Sequence, residues 1–153
     1  MNKVRWVVLV ALVGICFGGA LARTQKKPLY ERLGGVYGIA AVVDEFVDIL
    51  LSDEVIGKNE KVVKALDNPN LNLVPGLKFH ITAQICEATG GPQRYTGRSM
   101  EDSHKHLDIT EEEFAAAAAD LKKAMDKLKV PEAEQNELLE IVASTKEDIV
   151  KRK

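Results

Sequence analysis

The chain has 153 residues, of which 46% are hydrophobic and 29% charged, a balance that fits one compact domain and excludes a disordered chain. Its 21 basic and 23 acidic residues give a formal net charge of −2, so nothing in the charge attracts nucleic acid. Two cysteines, Cys16 and Cys86, far apart and with only the second outside the N-terminal segment, exclude an intramolecular disulfide framework in a processed chain.

Residues 1–22 have the pattern of a secretory signal. Lys3 and Arg5 precede an uncharged run over residues 6–17, and Ala20-Leu21-Ala22 is a small-x-small cleavage site, so a mature domain is expected over residues 23–153. Its balance becomes 19 basic against 23 acidic residues, formally −4. Export would place the protein in a periplasm or outside the cell. The apolar run of residues 6–22 is at the lower edge of what spans a bilayer, and the alternative is an uncleaved N-terminal anchor, the one route to a membrane.

Residues 23–28 are a polar lead, and residues 29–33 form a short helical turn closed by Gly34-Gly35. Over residues 36–51, Ile39, Val42, Val43, Phe46, Ile49 and Leu50 recur at helical spacing and predict an amphipathic helix. Residues 52–76 are polar and irregular apart from a short helix at 60–66, with turn chemistry in Asp67-Asn68-Pro69-Asn70 and Pro75-Gly76. A helix over 77–89 carries the stripe Leu77, Ile81, Ile85 and Ala88, and His80 lies beside that stripe, able to face inward. Gly90, Gly91 and Pro92 stop it, since glycine suits a left-handed helix end and proline cannot donate the next backbone bond.

After a polar loop, Ser99 with Asp102 predicts a capped helix of two turns, and Thr110 with Glu113 predicts a second capping box opening a long helix over 111–129. The inward face of that helix is Phe114, Ala117, Ala118, Leu121, Met125 and Leu128. Pro131 suits the first position of a last helix that runs to Lys151 with Leu138, Leu139, Ile141, Val142 and Ile149 on its apolar side. No strand pattern of convincing length occurs, and the expected class is all-α. On the short helix, Met100 and Leu107 share the face of His104, whereas His106 is roughly 200° away and faces water. An inward histidine followed ten residues later by Phe114 suits an axial ligand of a haem iron. A core histidine bonded to a backbone carbonyl is the commoner use of such a residue.

The run GGPxxYTGxxMxxxH over residues 90–104, Phe114 ten residues beyond, and LYERLGG over 29–35 together resemble the group I truncated globins, and the likeness extends over roughly residues 29–150. The resemblance implies a two-over-two helical sandwich around haem b with His104 as the proximal iron ligand. It also implies that Phe46 and Val47 overhang the distal side, and that Leu77, Ile81, Met100, Leu107, Phe114, Leu121, Leu139 and Val142 line the cofactor. His80 stands where some members carry a histidine that binds iron from the distal side. Val47 stands where the family usually has a tyrosine donor, and Leu77 and Ile81 where relatives carry glutamine. His80 and Gln84 are left as the nearby polar candidates.

The implied function is binding of a diatomic gas, oxygen, nitric oxide or carbon monoxide, as a carrier, scavenger or sensor. The alternatives are nitric oxide dioxygenase-type detoxification and b-type haem electron transfer with a separate reductase. Outside the haem reading stand a helical interaction domain without cofactor and a zinc site through His80, His104, His106 and Cys86. The near-opposite directions of His104 and His106 argue against zinc.

Overall fold

A computed structural model describes residues 26–67 and 73–151. The signal or anchor of residues 1–22 and the turn at residues 68–70 lie outside the described residues. Eight helices follow in chain order among the described residues: α1 (Leu29–Arg32), α2 (Gly35–Ser52), α3 (Glu60–Leu66), α4 (Leu73–Ala88), α5 (Met100–His104), α6 (Glu111–Lys127), α7 (Glu132–Ala143) and α8 (Lys146–Ile149). A single 3-10 turn, Ile56–Lys58, precedes α3. The described residues contain no strand.

Helix α2 packs against both α4 and α6, and α6 packs against α7, so α2 with α4 and α6 with α7 form two layers of two helices. The apolar faces meet in one cluster of Leu29, Leu33, Ile39, Val42, Val43, Val47, Ile85, Cys86, Leu121, Met125 and Leu138. Burial of such a cluster drives the assembly, because each large aliphatic side chain withdrawn from water contributes about 1.5–3 kcal/mol.

Local chemistry sets where the helices stop. Helix α4 ends in a Schellman motif: Gly90 has φ of 88°, its N–H donates to Glu87 O, and the Gly91 N–H donates to Cys86 O at 2.7 Å. The same motif ends α6, but with Lys129 (φ 57°) in the left-handed position, Lys129 N–H bonding Asp126 O and Val130 N–H bonding Met125 O, each at 3.0 Å. This stops the helix two residues before the expected Lys129 and leaves Leu128 in the cap, 42% exposed rather than on the inward face. The capping box of Thr110 and Glu113 at the start of α6 is complete in both directions.

Four further expectations are corrected. Pro75 and Gly76 belong to the first turn of α4 instead of a loop, because a proline in a first helical turn forfeits no intrahelical bond. Helix α5 spans five residues, not two turns. The last apolar segment is broken into α7 and α8 where the hydroxyls of Ser144 and Thr145 donate back to the carbonyls of Ile141 and Val142, and Pro131 is the N-cap of α7, outside the helix.

Gly38 sets the junction of α1 and α2. A Cβ there would lie 2.0 Å from the Leu33 carbonyl oxygen, a backbone atom that cannot step aside. Gly38→Ala is therefore expected to destabilise the protein by the upper part of the ~1–3 kcal/mol typical of overpacking, measured as a lower urea midpoint at unchanged m-value.

Candidate functional site

His104 is the last residue of α5. The helix is nucleated by Ser99, whose Oγ accepts the Asp102 N–H at 3.0 Å, with Glu101 and Asp102 in the first turn where the helix dipole favours acids. The Nδ1 of His104 lies 2.8 Å from the Met100 carbonyl oxygen. A carbonyl oxygen can only accept, so Nδ1 carries the proton and the Nε2 lone pair is the free electron donor of the ring. His104 is half-buried and His106 is exposed, as their expected directions require. The cause for His106 is different: the helix has already ended, and His106 sits in the turn beyond it.

Both flanks of α5 are tied down. Upstream, the Tyr95 N–H donates to Glu87 Oε2 at 3.0 Å and Arg94 pairs with the other Glu87 oxygen at 3.2 Å, which hangs the loop on α4. These contacts, the Tyr95 N–H first and then Arg94, hold the Glu87 carboxyl below its ordinary value. Downstream, Asn59 Nδ2 donates to the Leu107 carbonyl at 3.1 Å, and the Lys151 N–H donates to the Ile109 carbonyl at 2.9 Å. Between them Asp108, in the left-handed region at φ 53°, is bracketed by the ammonium groups of Lys61 and Lys151. Helix α8 packs on α5. Sequence reasoning did not reach Asn59, Lys61, Asp108 or Lys151; only the N-cap character of Asn59 ahead of α3 was a visible signal.

The expected lining residues fall into three groups. Phe46, Leu77, Ile81, Leu139 and Val142 are partly buried and pack against the central cluster. Met100, Leu107 and Phe114 are half-buried on α5, its following turn and the start of α6. Val47 and Leu121 are core residues, 0% and 3% exposed, covered by protein. His80, expected beside the inward stripe, is instead exposed on α4, with its ring edge-on to Tyr95 at a centroid separation of 6.0 Å. Gln84 is half-buried on the same helix. Among the described residues no three His, Cys, Asp or Glu side chains converge as a cluster able to hold a metal ion by themselves.

The model of the bacterial-like globin family matches residues 28–151. The chain belongs to that family. Within it the similarity is to group 1 truncated hemoglobins: 30% identity over 126 residues to one from Mycolicibacterium paratuberculosis (80% of this chain, 86% of that one) and 32% over 108 residues to one from Synechocystis (68% and 80%). Among solved structures, the Fe(III) truncated hemoglobin of Tetrahymena pyriformis superposes with a TM-score of 0.71 at 25% identity, covering 82% of this chain and all of that one. A 2/2 hemoglobin of Synechococcus superposes with a TM-score of 0.70 at 27% identity, covering 82% and 99%.

This globin is thus a group I truncated globin of two-over-two fold, and membership of the family brings a haem cofactor and diatomic ligands. The residues present suit such a group. One histidine has its second nitrogen already committed to a carbonyl, and partly buried apolar side chains from α2, α4, α5, α6 and α7 match the apolar faces of a macrocycle.

Asp108 gives the site a pH dependence of known sign. Lys61 and then Lys151 hold its carboxyl below the ordinary 3.8. A lowered native value contributes stability that is fully present above that ordinary value and is lost as the pH falls through the native one. Asp108→Asn keeps a residue tolerant of the left-handed region. It should lower the urea midpoint at neutral pH, and the gap to wild type should narrow as the pH falls through the lowered native value of Asp108.

Proposed function

We propose that the Nε2 of His104 is the proximal ligand of haem b, and that the protein binds oxygen, nitric oxide or carbon monoxide on the opposite face, as an exported carrier, scavenger or sensor. The observation that carries the reading is the bond between His104 Nδ1 and the Met100 carbonyl, which fixes the tautomer and leaves Nε2 as the nitrogen free to offer an oriented lone pair. Haem supplies the iron at which the diatomic ligand is held.

The chain's own residues do the rest. The carbonyl of Met100 orients the imidazole and raises its basicity, while the anchors at Glu87, Asn59 and Asp108 keep α5 from drifting. Met100, Leu107 and Phe114 exclude water from the proximal side, and Phe46, Leu77, Ile81, Leu139 and Val142 give the cofactor an apolar bed, with Val47 and Leu121 packed behind it. On the distal side Val47 offers no hydroxyl, and His80 is the side chain that would hold the iron there when no external ligand is present. The alternatives are nitric oxide dioxygenase-type detoxification and b-type haem electron transfer with a separate reductase.

Two measurements test this. His104→Ala should lose stable haem binding, read as loss of the Soret band on titration with hemin, while His106→Ala should bind as wild type. The reverse pattern sinks the assignment. For the address, intact-mass measurement of protein exported by its own host should show a chain starting at Arg23, the residue after Ala20-Leu21-Ala22. A full-length product pelleting with membranes would establish the anchor instead.

A further inference from the structure

His80 is placed between two aromatic rings. Phe79, itself 66% exposed, stands edge-on to it at 5.4 Å and 71°, and Tyr95 stands edge-on at 6.0 Å and 83°. Phe79 is the adjacent residue on α4, so that contact travels with the helix. Tyr95 is different, since it comes from the loop that leads to α5, and its ring is held from three directions. Its hydroxyl donates to the Arg98 carbonyl at 2.8 Å, and its N–H donates to Glu87 Oε2 at 3.0 Å. The ring also lies folded over Gly97, where a Cβ would stand 2.4 Å from the hydroxyl oxygen and 2.5 Å from Cζ. Glu87 lies seven residues after His80 on α4, two helical turns along the same face. Helix α4 therefore carries both the imidazole and the carboxylate that fixes the tyrosine against which the imidazole rests.

We propose that Tyr95 is a positioning residue that holds His80 away from the iron and so sets how often the sixth coordination position is free. This rests on the reading of His80 as a distal ligand given under Proposed function. A single imidazole has two resting places, the edge of the Tyr95 ring and the iron. Edge-to-face aromatic pairs contribute about 0.5–1.5 kcal/mol beyond area burial, which corresponds to a roughly 2–12-fold bias toward the place beside Tyr95. Gly97 belongs to the same device, because only a residue without Cβ lets the tyrosine ring lie down where it meets His80.

The test uses the ferrous haem-loaded protein and reads coordination and ligand access. In Tyr95→Leu the ratio of six- to five-coordinate absorption should rise roughly 2–12-fold, and the apparent carbon monoxide association rate should fall in proportion to the remaining five-coordinate fraction, by at most that factor. Tyr95→Phe, which keeps the ring edge, should stay near wild type, and Gly97→Ala, which displaces the ring without removing it, should move in the direction of Tyr95→Leu. In the carbonmonoxy state, where the sixth position is taken, proton contacts between the His80 and Tyr95 rings should be seen by NMR. His80→Leu alone should make the iron five-coordinate and speed carbon monoxide binding, and on that background Tyr95→Leu should change nothing. If His80→Leu acts as stated but Tyr95→Leu and Gly97→Ala leave ratio and rate unchanged, or if Tyr95→Leu acts equally on the His80→Leu background, the positioning role is overturned while distal ligation stands. If His80→Leu itself changes neither spectrum nor rate, distal ligation fails and the positioning role fails with it.

Discussion

One hydrogen bond, from His104 Nδ1 to the carbonyl of Met100, governs what this globin's site can do. An imidazole offers a lone pair from only one nitrogen at a time, and which one is decided by what the other touches. Because the acceptor is a backbone carbonyl four residues earlier on the same helix, the choice is made by the short helix itself and does not wait for the cofactor. A helix of five residues has little stability of its own, however, since a first turn costs more in fixed dihedrals than its one or two bonds return. The bond is durable only to the extent that something outside α5 holds the helix.

The surrounding structure supplies that support from both sides of the sandwich. Glu87 on α4 takes the loop before α5, and Asn59, Lys61 and Lys151 take the turn after it. Each contact taken singly is weak, because exposed ion pairs contribute about 0–1 kcal/mol and are screened by salt. Their value lies in arrangement: they act on successive residues, Leu107, Asp108 and Ile109, so the turn cannot slide without breaking several at once. Asp108 sits there with a positive φ, which an aspartate tolerates better than a β-branched or bulky residue would.

The sequence carried the layout of the fold because the relevant signals are local. The spacing of Ile39, Val42, Val43 and Phe46 gives α2, the pair Thr110 and Glu113 gives the start of α6, and Gly90 gives the end of α4. Misreadings arose where a local rule has two outcomes. Pro75-Gly76 reads as a turn but is equally at home in a first helical turn; a lysine at position 129 takes the left-handed place usually given to glycine; Ser144 and Thr145 break a helix that periodicity alone would continue. For the site, the run from Gly90 to His104 is visible as a motif, and so is the contrast between His104 and His106. The anchors are not, since nothing near Asp108 announces that Lys61 and Lys151 will meet it.

That separation along the chain has a kinetic consequence. The hydroxyl and glycine caps that begin and end the helices join residues three to five apart and close on the timescale of helix formation, well under a millisecond. Lys61 and Asp108 are 47 residues apart and Asn59 and Leu107 are 48, so these contacts close only after the chain between them has been gathered. The pairing of α2 with α6 spans longer stretches still, so the fastening of the histidine's turn belongs to the tertiary assembly of the chain and not to the formation of its helices. Whatever loosens the tertiary structure therefore frees the histidine's turn as well, however well the Ser99 cap holds α5.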